Sequence, residues 1–241
     1  MEGKSTLNTL ENVILWMKDI LFPLFCISCQ KEGSIWCNPC VQAVDIPGVF
    51  LCPVCSEKTC EGRVCQDCIP ISFLDAHQSL FVYKDESMIG RLLHDLKYNF
   101  IEESLKPLEK FFSVFLEQHA SFFSAYDVLV PVPLHPRRFA ERGFNQSEKI
   151  VCLFEKQIHI PIEPLLIRST YTCPQVGMSS LERKKNVQGI FSLNGSAKAK
   201  RIILVDDVYT TGSTLQECAK VLRENGAKEV LGLSIARAVV Q

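Results

Sequence analysis

The residues best equipped for chemistry run from Arg201 to Leu215: Arg-Ile-Ile-Leu-Val-Asp-Asp-Val-Tyr-Thr-Thr-Gly-Ser-Thr-Leu. Four apolar residues, Ile202 to Val205, predict a buried parallel strand. Asp206 and Asp207 sit where that strand should end. Thr210, Thr211, Gly212, Ser213 and Thr214 then lead into a helical pattern that continues to about Asn225. A helix N-terminus offers unpaired N–H groups and the positive end of a dipole to a phosphate. Gly212 lets the backbone approach closely, and the hydroxyls add donors. The two carboxylates would repel that phosphate. They suit the hydroxyls of a sugar, accepting hydrogen bonds directly or with a divalent cation nearby. An ordinary strand–turn–helix with a Ser or Thr cap needs no acidic pair, and neither Gly-x-x-x-x-Gly-Lys nor Gly-x-Gly-x-x-Gly follows this strand.

Three further groups could serve a phosphorylated sugar. Arg137, Arg138 and Arg142 crowd a loop that should also lie at a strand's carboxyl end. Guanidinium forks match the oxygens of a pyrophosphate bidentately. Arg183, Lys184, Lys185, Lys198, Lys200 and Arg201 fall in a window, 183–205, that holds no acidic residue. A loop carrying Arg183 and Asn186 could close over a bound polyanion and exclude water, or track a nucleic-acid backbone. Phe139, Phe144, Phe191 and Tyr209 lie among these cations, where core packing is the favoured reading over base stacking. His135, between Leu134 and Pro136, is read as structural.

The cysteines carry a second chemistry. The chain has 12, and nine lie between Cys26 and Cys68. Most fall in Cys-x-x-Cys pairs: Cys26/Cys29, Cys37/Cys40, Cys52/Cys55 and Cys65/Cys68. Each pair is a tight knuckle pointing two thiolates at one ion, and two knuckles close a tetrahedral site that suits Zn2+. Sequential pairing gives one ion on the first four cysteines and one on the last four; a crossed arrangement is the alternative. Cys60 is spare. Without a secretory signal, such clustering favours metal over disulfides.

The elements that must position these residues follow from composition and pattern. At 241 residues, with 47% hydrophobic and 22% charged residues and a net charge of −1, the chain is globular with ample core, and bulk charge predicts no polyanion partner. Leu7, Leu10, Val13, Ile14, Met17 and Leu21 recur at helical spacing. Glu11, Lys18 and Asp19 interrupt that apolar surface, so residues 1–23 are read as an amphipathic helix packed on the protein rather than a transmembrane segment. Residues 24–70 form the cysteine-rich part and 71–241 the remainder. In the latter, strands near 79–83, 128–133, 165–168, 191–193, 202–205 and 229–236 alternate with helices near 87–96, 105–116, up to 156, and 213–225. That order is α/β, with a parallel sheet flanked by helices and ligands bound at the carboxyl ends of its strands. Tyr171 to Ile190 is polar and unpatterned, as a mobile loop would be.

The run from Ile202 to Thr214 resembles the phosphoribosyl pyrophosphate (PRPP) motif of type I phosphoribosyltransferases. The resemblance implies that Asp206 and Asp207 hold the ribose 2′ and 3′ hydroxyls while Thr210 to Thr214 wrap the 5′-phosphate. Over essentially its whole length the chain is similar to the ComF family, also called competence protein F or GntX-like. The shared features are Phe22-Pro23-Leu24-Phe25-Cys26, the cysteine knuckles and Leu96-Lys97-Tyr98. They continue with Val130 to His135 plus Arg138, then Arg142-Gly143-Phe144-Asn145-Gln146, then Gln175, Leu181, Arg183 and Asn186. Gly177-Met178-Ser179 replaces the family's Gly-Leu-Ser. This resemblance implies a type I phosphoribosyltransferase fold behind a double zinc ribbon, PRPP bound with Mg2+, and a cytoplasmic location. It also implies a role in DNA uptake with single-stranded DNA and a ComF-type helicase as partners. For catalysis, Asp206 and Asp207 would fix the ribose while Arg137, Arg138 and Arg142 stabilise the departing pyrophosphate. A PRPP or nucleotide sensor would need the same cradle.

Overall fold

The computed structural model describes residues 23–98, 105–171 and 186–239. They divide into two compact units, the first ending at Asp45 and the second starting at Ile46. The helix expected over 1–23 lies outside the described residues except for its last position. The expected boundaries, 24–70 and 71–241, put both cysteine quartets in one domain. The structure divides the chain between them, so the second quartet belongs to the same unit as the sheet.

Both quartets are built by one local device. In the first unit a hairpin-like turn is closed by a bridge between Phe25 and Glu32, and the amides of Cys26 and Gln30 bond to Lys31 O (2.8 Å) and Cys26 O (2.9 Å). Cys37 then caps the short helix α1 (Asn38–Gln42), which carries Cys40. In the second unit Leu51 bridges Lys58, Cys52 N donates to Glu57 O (2.7 Å), and Ser56 N donates to Cys52 O (3.2 Å). Cys65 caps the 3-10 turn Gln66–Ile71, which carries Cys68 and absorbs the linker expected at Ile69–Ile71. The thiols of Cys26, Cys29, Cys37 and Cys40 all lie within 4.8 Å of one another, and so do those of Cys52, Cys55, Cys65 and Cys68. The sequential grouping is the one the chain forms, and Cys60 joins neither group.

A ZnS4 tetrahedron with bonds of about 2.3 Å spaces its sulfurs about 3.8 Å apart. The Cys29–Cys37 and Cys55–Cys65 separations are 3.6 and 3.7 Å. The donor sets therefore fit zinc. The thiols also divide in the way a cation would resolve. Burial resists ionisation of Cys52, yet the amides of Cys65, Cys55 and Val54 draw it down to about 6. Cys68, hydrogen-bonded to the Cys65 thiol, is pushed up to about 12.

The second unit is a five-stranded sheet, in spatial order β1-β2-β7-β6-β3, flanked by helices. Its strands are β1 (Val49–Phe50), β2 (Ala76–Val82), β3 (Val128–Pro131), β6 (Arg201–Tyr209) and β7 (Glu229–Arg237). Only β1 is antiparallel; the other four run parallel. Between β2 and β3 come α2 (Met88–Tyr98) and α3 (Leu105–Phe123). After β3 come α4 (Pro136–Arg142) and α5 (Gln146–Ile158), and α6 (Ser213–Glu224) joins β6 to β7. A separate antiparallel pair, β4 (Leu166–Arg168) and β5 (Phe191–Leu193), brackets the segment expected to be a loop. Ile202 and Leu204 of β6 pack with Val128 and Val130 of β3 and with Leu215, Cys218 and Leu222 of α6. A second cluster is aromatic, with Phe112 against Phe154 at 4.4 Å and Phe81 against Phe111 at 5.3 Å between ring centres. Among the described residues no helix is long and apolar enough to cross a membrane.

Two element expectations change. The central strand does not stop at Val205; it pairs with β7 as far as Tyr209 opposite Arg237, so both aspartates lie within it. The arginine-rich segment is a helix, α4, because His135 Nδ1 accepts the Arg137 amide at its start and Gly143, at φ 79°, ends it.

Metal analysis of the purified chain should return two zinc ions per molecule; one would contradict the two quartets. Cys55→Ser should lower the unfolding midpoint of the sheet unit, while Cys29→Ser should open residues 24–45 and leave that midpoint in place, as read by calorimetry.

Candidate functional site

Asp206 and Asp207 follow the apolar run of the strand that parallel neighbours flank on both edges. Alternation along a strand sends their side chains to opposite faces. Asp206 Oδ1 accepts from Ser147 Oγ (3.1 Å) and from the Asp207 amide (3.0 Å). Asp207 Oδ1 accepts from the Val208 amide (2.7 Å), and its Oδ2 meets Lys97 Nζ at 2.9 Å. Burial first, then the neighbouring Asp207 charge, pushes the Asp206 carboxyl up to about 7. The Lys97 ammonium is held above its usual value: burial opposes its charge, but the Asp207 carboxylate more than compensates.

Asp206 and residues Val208 to Leu215, with Thr210, Thr211, Gly212, Ser213 and Thr214 among them, line one open hollow at the start of α6. Gly212 stands at φ 73° as the N-cap, and a Cβ there would lie 2.0 Å from the Tyr209 hydroxyl. Thr211 Oγ1 meets Ser213 Oγ at 2.8 Å, but its contact with the Ser213 amide is 3.4 Å, at the long limit for a hydrogen bond. No acidic side chain occupies the first turn of α6.

The Arg142–Gln146 run is the scaffold of this edge. Asn145 caps α5 by accepting the Ser147 amide (3.1 Å), and its Nδ2 donates to Val132 O (3.0 Å) just beyond β3. One buried side chain thus ties the end of β3 to the start of α5 and sets Ser147 against Asp206. Arg142 Nη1 donates to Gln146 Oε1 at 3.2 Å. Arg137 forms an exposed i,i+4 pair with Glu141 (3.4 Å) and lies 4.6 Å over the Tyr171 ring; Arg138 lies 5.9 Å from that ring. His135 meets the edge of the same ring and serves as the α4 cap, the structural role read from the sequence.

Within the basic window, the described cations Lys200 and Arg201 are paired away from the phosphate turn. Arg183, Lys184 and Lys185, with Gln175, Gly177 to Ser179 and Leu181, lie outside the described residues. Lys200 pairs with Glu163, and Arg201 pairs with Glu229 at 3.2 Å, at the opposite end of β6 from the Thr210–Thr214 turn. Of the four aromatics, Phe191 and Tyr209 are buried, Phe144 is half-buried and Phe139 is exposed.

Sequence reasoning gave no role to Lys97, Ser147 or Arg168. Lys97 was visible only as the middle of Leu96-Lys97-Tyr98, and its position in the last turn of α2 is what carries it to Asp207. Arg168, on β4, has its basicity lowered by burial and then by the Arg138 charge, and it also feels Asp206. Its guanidinium therefore stands within electrostatic reach of Asp206.

A profile described as phosphoribosyl transferase domain matches residues 155–238. The competence protein ComFC of Streptococcus pneumoniae is 30% identical over 230 residues, covering 92% of this chain and 96% of that protein. The chain belongs to the ComF family. ComFC of Bacillus subtilis is 31% identical over 84% of this chain and 90% of its own length. The DNA utilization protein YhgH of Escherichia coli strain K12 is 29% identical over 86% of this chain and 94% of its own. The ComF fold here is a phosphoribosyltransferase-type, mostly parallel sheet flanked by helices, preceded by cysteine-rich quartets.

The Asp206 environment has a measurable consequence. Its folded carboxyl titrates near 7, above the 3.8 of a free side chain, so the fold favours the protonated form. Stability from this group is complete below the free value and is lost as pH rises through about 7. Asp206→Asn stays neutral, so its urea midpoint should fall less than that of the parent chain as the pH is raised over this range. An identical pH dependence in the two chains would contradict the assignment.

Proposed function

We propose that this ComF-family chain binds PRPP, with Mg2+ carried on that substrate, and transfers its phosphoribosyl group to a nitrogen acceptor in the service of DNA uptake. The observation that carries the reading is the shared hollow: Asp206 and the Thr210–Thr214 turn line it together, at the carboxyl end of a parallel strand and the N-terminus of α6. A 5′-phosphate would sit on the turn amides, and the ribose hydroxyls would donate to Asp206 and Asp207. The latter would exchange its contact with Lys97 for the sugar or share both. The nitrogen lone pair attacks ribose C1 as the C1–O bond to pyrophosphate breaks. Pyrophosphate departs with the bonding electrons, and the attacking nitrogen gives up its proton. Arg137, Arg138 and Arg142 receive the charge of the leaving group, with Arg183 as a fourth candidate. Mg2+ supplies further charge neutralisation to the pyrophosphate oxygens. Zinc in the cysteine quartets takes no part in these steps. The DNA role rests on the relatives, which are named for competence and DNA utilization.

Calorimetry with Mg2+ and PRPP should show one site per chain. Asp207→Asn should weaken it by about tenfold or more, the loss expected for hydrogen bonds to a charged acceptor. Pyrophosphate release in the presence of candidate bases and amines then tests turnover. Binding without release from any acceptor would turn the reading into a PRPP sensor; no binding would remove both.

A further inference from the structure

The largest fully buried side chain among the described residues is that of Arg237, the last residue of β7, which is 1% exposed. Its Nη1 donates to Leu51 O (2.7 Å), and its Nη2 donates to Cys52 O (2.7 Å) and Ser56 Oγ (3.0 Å). Nη1 also lies 3.3 Å from His77 Nδ1. No carboxylate stands among these partners. The acidic groups that Arg237 feels are the Tyr209 phenol, which burial keeps protonated, and the thiols of Cys52 and Cys55. A buried guanidinium without an opposite charge is costly. A zinc ion held by four thiolates carries a net charge of about −2, which is the partner this cation lacks.

The other side of Arg237 faces the phosphate turn. Its guanidinium lies 4.7 Å over the Tyr209 ring, and the His77 ring, in contact with that guanidinium, packs on the same tyrosine at 3.9 Å. Tyr209 and Arg237 are paired across β6 and β7, and the Ala238 amide closes onto Tyr209 O at 2.8 Å. The Tyr209 hydroxyl donates to Pro53 O, inside the Cys52–Cys55 knuckle. That same hydroxyl fills the space where a side chain on Gly212 would begin. A continuous packed path therefore runs from the second quartet, through Arg237 and Tyr209, to the N-cap of α6.

We propose that Arg237 is a positioning residue through which metal occupancy of the Cys52/Cys55/Cys65/Cys68 site sets the shape of the Thr210–Thr214 turn. With metal bound, the knuckle carbonyls and thiolates fix the guanidinium, the guanidinium and His77 pack together against the Tyr209 ring, and that tyrosine holds Gly212 in its left-handed conformation. Without metal, the knuckle opens, Arg237 loses its acceptors, and the turn loses its floor. The use of this coupling, though not its existence, rests on reading the turn as the PRPP cradle.

Amide hydrogen exchange on the full-length chain tests it without any ligand. Stripping zinc with a chelator should speed exchange of residues 209–214 by about tenfold or more, as should Arg237→Met in the zinc-loaded chain, while α5 stays protected. Tyr209→Phe, which removes only the hydroxyl, should give the same pattern more weakly and stands in if Arg237→Met does not fold. If stripping opens residues 51–58 and leaves 209–214 unchanged, the proposal is overturned. The linkage must also run backwards: Mg2+ and PRPP should tighten zinc binding at the second quartet by about fivefold or more, measured by competition with a colorimetric chelator in a Cys29→Ser chain, and Tyr209→Phe should reduce the effect. If exchange responds to zinc but PRPP leaves the zinc affinity unaltered, the coupling stands and the PRPP reading is what fails.

Discussion

Two adjacent carboxylates within a flanked central strand are the constraint around which the second unit is arranged. Carboxylates taken out of water must find donors or give up their charge. Asp206 does some of each: it accepts from Ser147 and the Asp207 amide, yet its carboxyl still titrates near 7. Asp207 takes the Val208 amide and the Lys97 ammonium. Those donors come from separate elements, which ties distant sequence to one point. The last turn of α2 must deliver Lys97. The start of α5 must deliver Ser147, and it does so because Asn145 caps the helix while holding Val132 O. Parallel pairing satisfies both edges of β6 through the apolar run, and the β7 ladder alone carries the strand on under the two carboxylates.

This arrangement explains why certain features were legible in the sequence and others were not. The phosphate turn announces itself because its requirements are local. An apolar run, a left-handed glycine and a capped helix start are consecutive residues, and the carboxylates stand beside them. The cysteine quartets are legible for the same reason, since knuckle geometry is fixed within a few residues and the sequential grouping costs the shortest loops. The α4 helix was missed because its signal is thin: a histidine cap, a proline at the first position and seven residues in all. The length of β6 was misjudged because charge was taken as a strand's end, whereas the ladder with β7 continues under the charges as far as Tyr209. Lys97 and Arg237 have no local signal of any kind. Their roles come from contacts between elements far apart in sequence, and nothing in Leu96-Lys97-Tyr98 or in Ile235-Ala236-Arg237 says where the side chain will go.

The basic window shows the same limit from the other direction. Lys198, Lys200 and Arg201 join Arg183 to Lys185 in sequence, but a strand nine residues long lies between Arg201 and the phosphate turn. At roughly 3.3 Å per residue, that separates the two ends by well over 20 Å. Lys200 and Arg201 satisfy Glu163 and Glu229 instead. Lys200 and Arg201, close to the turn in sequence, are held away from it by the length of β6.

The two quartets, alike in local construction, differ in what they are attached to. The first is complete within its own short unit. The second is continuous with β1, which pairs with β2, and its knuckle carbonyls are the acceptors of a buried arginine at the end of β7. A metal knuckle that served only to fold itself would have no need of that cation, and an arginine that served only the sheet would be better placed beside a carboxylate. Each makes physical sense in the presence of the other. Tyr209 extends the argument into the turn: its position in β6 is set by the ladder, its hydroxyl by Pro53, its ring by Arg237 and His77, and the one residue that can pass over it is a glycine. The glycine that leaves the turn open to an anion is thus also the residue required by a phenol anchored to the metal knuckle, which joins the two chemistries of the sequence in a single packing contact.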